Sequence, residues 1–111
     1  MKKNMVTAII ILSIIIFSIW AITKDNPDVS EELAKCIGEN SVFYVRTGCF
    51  ACETQKDLFK ENLKHLQIVN CMTQAQECIN QGVSSVPTWI INNNKYVSVQ
   101  TIDKLKTLTG C

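Results

Sequence analysis

Cys49 and Cys52 stand two residues apart, as Cys49-Phe50-Ala51-Cys52, where a β-forming run gives way to a helical pattern. No other feature restricts the possible folds as much. The run is Ser41-Val42-Phe43-Tyr44-Val45-Arg46, rich in β-branched and aromatic side chains. It delivers Cys49 to a helix N-terminus, where free backbone N–H groups and the macrodipole favour a thiolate. The thiolate is the attacking species in thiol–disulfide exchange, so stabilising it turns a thiol into a reagent. Downstream, Val86-Pro87-Thr88 precedes a second apolar run, Trp89-Ile90-Ile91.

Half of a zinc site is spelled the same way. A structural zinc usually takes four Cys or His ligands as two close pairs, and the only second pair available is Cys71 and Cys78, at an unusual spacing. The lone histidine, His65, falls in a predicted helix and reads as a solvated surface residue rather than a ligand or a base. Redox chemistry is the better reading of Cys49 and Cys52, with no metal assigned.

Between Lys3 and Lys24 lie twenty residues without a charge, among them the aliphatic stretch from Ile9 to Phe17. At about 1.5 Å per residue this is a helix of about 30 Å, the thickness of a bilayer's hydrocarbon core. Trp20 suits the headgroup region at one end, and Lys2 and Lys3 flank the other, which places the N-terminus in the cytoplasm. A cleaved signal peptide would carry a shorter apolar region and a small-x-small site, which Ile19-Trp20-Ala21 matches poorly. A lipoprotein would need a cysteine directly after the apolar run, and the first is Cys36. The reading is a single-pass anchor over residues 1–23, a linker over 24–35 and one domain over 36–111, held on the extracytoplasmic face of the cytoplasmic membrane.

Beyond the anchor there are nine basic residues against ten acidic ones, a balance that gives nucleic acid no basic face to bind. All six cysteines lie there too. In an oxidising compartment an even count reads as a disulfide framework plus a redox pair, and a domain this small gains from cross-links.

The remaining elements follow from pattern. Lys24-Asp25-Asn26-Pro27 is a polar spacer, and Asp28-Val29-Ser30-Glu31 resembles a capping box with Asp28 as N-cap. Val29, Leu33, Cys36 and Ile37 predict a short helix ending near Gly38. Residues 52–65 predict an amphipathic helix, residues 66–70 a strand and residues 74–81 a short helix. Two strands, 88–91 and 95–99, flank Asn92-Asn93-Asn94, a triplet that tolerates positive φ and so predicts a hairpin turn. Thr101 caps a last helix that stops at Gly110.

With that order of elements, the chain resembles thioredoxin-fold proteins over residues 36–111. Thr47-Gly48-Cys49-Phe50-Ala51-Cys52 and Gly82-Val83-Ser84-Ser85-Val86-Pro87-Thr88 carry the likeness. The resemblance implies an α/β fold: a central mixed sheet of about four strands flanked by helices, preceded here by one transmembrane helix. It also implies a cis Pro87 beside the active-site cysteines, with Pro87 and the backbone of Val86 bordering a groove where an extended substrate adds as a strand. A closer resemblance is to the thioredoxin-like domains that are fused to, or work with, bacterial-type homologues of vitamin K epoxide reductase. Cys52-Glu53-Thr54-Gln55-Lys56, Val69-Asn70-Cys71, Pro87-Thr88-Trp89-Ile90-Ile91-Asn92 and Leu108-Thr109-Gly110-Cys111 carry it. That family implies structural disulfides Cys36–Cys111 and Cys71–Cys78. It also implies electron flow from the thiols of substrate proteins, through Cys49–Cys52, to a quinone-reducing membrane enzyme, with no cofactor on this domain.

Two departures temper the likeness. Residues 42–45 lack the buried acid of thioredoxin proper, and Phe50-Ala51 lacks the histidine of strong oxidases, so a moderate potential is expected. Support for the Cys49 thiolate then falls to the helix terminus, with Arg46 or Lys56 as the available cations. Two alternatives stay open: a disulfide reductase or isomerase, and a non-catalytic thioredoxin-fold binding module.

Overall fold

The computed structural model describes residues 1–22 and 29–111. The spacer at Lys24–Pro27 and the proposed cap Asp28 lie outside the described residues. The apolar N-terminal stretch forms α1 (Lys2–Ile22), a helix of 21 residues. Its window Lys2–Ala21 has mean hydropathy 2.3 and none of it is buried, so by length and composition it can cross a membrane. Thr7, Ser13 and Ser18 turn their hydroxyls back onto carbonyls of the same helix, which satisfies the hydroxyl groups within its apolar stretch.

The helix α2 (Glu31–Glu39) begins at Ser30, whose Oγ accepts the Leu33 N–H at 3.2 Å. Ser30, not Asp28, is therefore the N-cap, and Glu31 opens the first turn instead of closing a capping box. Val29 before the cap and Ala34 in the second turn are both buried, the positions of a hydrophobic staple. The boundary read at Cys36 thus cuts through a helix. Val29, Leu33 and Ala34, assigned to the linker, belong to the core or pack against it.

Next come β1 (Val42–Val45), α3 (Phe50–Asp57), β2 (Ile68–Asn70), α4 (Ala75–Asn80), β3 (Thr88–Ile91), β4 (Asn94–Val97) and α5 (Ile102–Thr109). The four strands form one mixed sheet in the order β2-β1-β3-β4, with β1 parallel to β2 and antiparallel to β3, and β3 antiparallel to β4. The β3–β4 hairpin turns through Asn92 and Asn93, at φ 51° and 65°, as the asparagine run predicts. Thr101 caps α5 through the Lys104 N–H at 3.2 Å, and Gly110 ends it in the left-handed region.

One face of the sheet carries the core. Phe43 and Trp89 are paired across β1 and β3 and stack with centroids 4.4 Å apart, and Phe59 leans on the same indole. Ala34 and Ile37 of α2, Cys52 of α3 and Leu105 of α5 close over this layer. Tyr44 and Thr88, the next pair along, point to the opposite face. There, burial first and the Glu77 carboxylate second push the Tyr44 phenol above its ordinary range.

The expected helix over 52–65 is broken. α3 stops at Asp57, Lys60 takes a left-handed backbone at φ 48°, and Lys60–His65 form a 3₁₀ turn. Contacts far along the chain fix that turn. Asn62 donates to the Val29 carbonyl at 2.8 Å, and Gly38 lies so close to the His65 carbonyl that a Cβ would overlap it. The same packing corrects the reading of His65: its side chain is only 18% exposed and sits 3.3 Å from Glu31. Its Nε2 is buried and makes no aligned hydrogen bond. The Lys35 ammonium, then the charge on the His65 side, hold the Glu31 carboxyl below its ordinary range.

Candidate active site

The site is built where β1 ends. The Cys49 N–H donates to the Arg46 carbonyl at 3.3 Å, closing a turn in which Gly48 takes φ 78°. Asn70, at the end of β2, steadies the turn by donating to Thr47 Oγ1 at 3.0 Å. Cys49 then becomes the N-cap of α3, and its Sγ accepts the Cys52 N–H at 3.1 Å. An amide aimed at sulfur from a helix N-terminus is the arrangement that supports a thiolate once the pair is reduced.

Cys49 and Cys52 are joined as a disulfide, with Cα atoms 5.2 Å apart. Their exposure differs: Cys49 is half-buried and Cys52 is fully buried, so a nucleophile can approach the pair from the Cys49 side. Phe50 beside them is 87% exposed, an apolar side chain in open solvent at the rim of the site. Of the two cations considered, Lys56 is engaged with Glu53 at 3.1 Å. Arg46 instead lines a groove that runs along Val86.

Val86 and Pro87, joined by a cis peptide bond, lead into β3. The loop is held on both sides: Thr88 Oγ1 donates to the Ser85 carbonyl at 2.7 Å, and the Ser98 N–H to the Pro87 carbonyl at 2.8 Å. Among the described residues, the Val86 backbone makes no main-chain hydrogen bond, and its side chain packs on the edge of the core.

The other four cysteines form Cys36–Cys111 and Cys71–Cys78, with Cα separations of 6.0 and 5.7 Å. Cys71 and Cys78, the candidate second half of a zinc site, are thus joined to each other. The first bridge ties α2 to Cys111, the second residue beyond α5, and the second ties the loop after β2 to α4.

One residue of the site, named in the sequence only within the stretch 52–56, has a role there that the sequence does not announce. Gln55 is fully buried one turn beyond Cys52. Its Oε1 accepts from the Trp89 indole N–H at 3.0 Å and from the Gln100 N–H at 2.6 Å. Its Nε2 donates to the Gln100 carbonyl at 3.0 Å. This neutral amide ties the active-site helix to β3 and to the start of α5. The signal was present, since Cys52, Gln55 and Phe59 share one face of the helical pattern, but a lone glutamine in an apolar stripe has no motif to announce it. Gln55→Leu strands three buried polar groups at about 1–3 kcal/mol each. We expect urea unfolding of the oxidised protein to show a loss of about 3 kcal/mol or more.

No protein-family model matches the chain. Among solved structures, the oxidised thioredoxin of Plasmodium falciparum, determined in solution, is similar at 17% identity and a TM-score of 0.48. That match covers 73% of this chain and 89% of the thioredoxin. The fold assignment stands on the topology itself. A parallel β1–α3–β2 unit, an antiparallel β3–β4 hairpin and a terminal helix around one mixed sheet make this a thioredoxin-like α/β fold.

Proposed function

We propose that this protein is a membrane-anchored thiol–disulfide oxidoreductase whose working pair is Cys49–Cys52. The observation that carries the reading is the asymmetric pair at the head of α3, with half-buried Cys49 capped by the Cys52 N–H and Cys52 sealed in the core. In the oxidising direction a substrate thiolate attacks Cys49 Sγ, a mixed disulfide forms, and Cys52 leaves as a thiolate that takes up a proton. The substrate's second thiolate then attacks its own sulfur in the mixed disulfide and releases Cys49. Two electrons pass from substrate to protein, and the substrate leaves with one new disulfide. Val86, whose backbone makes no main-chain hydrogen bond among the described residues, is the edge on which an extended substrate pairs.

The finer reading is that α1 holds the domain on the extracytoplasmic face and that a quinone-reducing enzyme of the vitamin K epoxide reductase type reoxidises the pair. The length and apolarity of α1 support the anchor, Lys2 and Lys3 ahead of it and the cysteine count beyond it support the side, and the family resemblance supports the partner. Sharing a bilayer raises the effective concentration of the pair at such a partner, so weak recognition suffices for turnover. Reconstitution tests it: full-length protein, the partner enzyme and a quinone in one vesicle, with a dithiol peptide added outside. Peptide oxidation should require Cys49, Cys52 and the quinone, and should slow when residues 1–23 are removed. An unchanged rate without the partner would leave a free-standing exchange protein.

A further inference from the structure

Between the approach to β3 and α4, the surface is hollowed into a groove of about 240 Å³. Ile79, Val83 and Val86 give it apolar walls, the Cys71–Cys78 bridge lies along it, and Arg46 is its one charged lining residue. The bridge ties α4 to the loop after β2, so that wall of the groove is held covalently. Arg46 also supplies the carbonyl that accepts the Cys49 N–H, so its guanidinium springs from the turn that carries the exposed side of the redox pair. No carboxylate among the described residues pairs with Arg46. Glu53 is taken by Lys56, and Glu77 of α4 acts on Tyr44 without being part of the lining.

We propose that this groove is a subsite for an acidic side chain near the reacting cysteine of the substrate, with Arg46 as the specificity-determining residue. The inference rests on the oxidoreductase reading of Cys49–Cys52 and names the substrate class of that site. A glutamate fits both halves of the lining: its methylenes lie on Ile79, Val83 and Val86, and its carboxylate meets the planar fork of the guanidinium. A lysine there faces a like charge, and a purely apolar side chain leaves the guanidinium unpaired while covering it. In an extended strand, residues two apart share a face, so the acidic residue stands two positions from the cysteine.

Peptides with Glu, Gln or Lys at both second neighbours of a single cysteine pair test this on the full-length chain in lipid nanodiscs. An ion pair at an open groove is worth up to about 1 kcal/mol, so the Glu peptide should be oxidised faster than the Gln peptide by up to about fivefold, with the Lys peptide slowest. Arg46→Gln should bring the Glu-to-Gln ratio to about one, and Arg46→Glu should invert the order. Ratios within one variant cancel any common change in Cys49 reactivity. Ile79→Trp, at a lining residue 69% exposed, obstructs the groove while keeping the charge and should also erase the preference. Equal rates for the three peptides on the native chain, or a preference that survives Arg46→Gln or Ile79→Trp, overturns the subsite. A second arm uses the same peptides with serine in place of cysteine, followed by NMR shifts at Arg46 and Val86. Selective shifts with the Glu peptide, in a protein that oxidises none of them, would uphold the groove and reject the oxidoreductase reading. Absence of selective shifts would reject the groove.

Discussion

Cys49→Ser is expected to reduce dithiol oxidation to the uncatalysed rate, whereas Cys52→Ser should accumulate stable mixed disulfides with substrates. The difference follows from exposure. Cys49 caps α3 with its sulfur half-buried at the surface, while Cys52 is sealed beneath it in the core. An incoming thiolate reaches Cys49 alone, so without Cys49 no covalent intermediate forms. Without Cys52, the Cys49 thiolate can still attack the disulfide of an oxidised substrate, which expels one substrate thiolate and leaves a mixed disulfide that no Cys52 thiol can reopen from the protein side. Non-reducing gels after acid quenching, with mass spectrometry of the trapped partners, read both outcomes. Labelling of the reduced native protein near neutral pH should fall first on Cys49. Labelling that falls first on Cys52 would reverse the assignment.

The second large effect concerns the framework. Cys36–Cys111 spans a sequence separation of 75 residues and joins α2 to the end of α5, so it restrains nearly the whole domain when unfolded. Loop-closure entropy gives it about 4 kcal/mol, against about 2–3 kcal/mol for Cys71–Cys78, whose separation is 7. A small domain has about 5–15 kcal/mol in all, so the double variant Cys36→Ala/Cys111→Ala should be close to unfolding at 37 °C. Its urea midpoint should fall well below that of Cys71→Ala/Cys78→Ala. A smaller loss for the long bridge than for the short one would mean that the unfolded chain is restrained by something other than loop closure.

Much of this fold is legible in the sequence, and most of the departures come from contacts between residues far apart in the chain. The strand before Cys49, the asparagine hairpin at Asn92 and Asn93 and the cap–glycine pair Thr101 and Gly110 are signals carried by adjacent residues, and each forms as expected. The helix that broke after Asp57 kept its apolar period through Leu63 and Leu66. What broke it was distant in sequence: Asn62 bonding to Val29, and Gly38 admitting the His65 carbonyl. The same contact buried His65, which pattern alone left in solvent. At the start of the domain, Ser30 displaced Asp28 as the cap because Val29 and Ala34 both reach the core from that register. In the site, the pair Cys49–Cys52 and the loop at Val86 and Pro87 were legible as motifs. Gln55 was not, because its role comes from Trp89 and Gln100, which only the fold brings to it.

The central claim is that Cys49–Cys52 works as an oxidant recharged from the membrane. Its most direct test is the redox state of that pair in intact cells, fixed by acid and counted by alkylation of the full-length chain. The account predicts a pair that rests oxidised and becomes reduced when quinone reduction in the membrane is blocked. A pair that rests reduced, and stays so whatever is done to the quinone pool, would contradict it and favour a reductase.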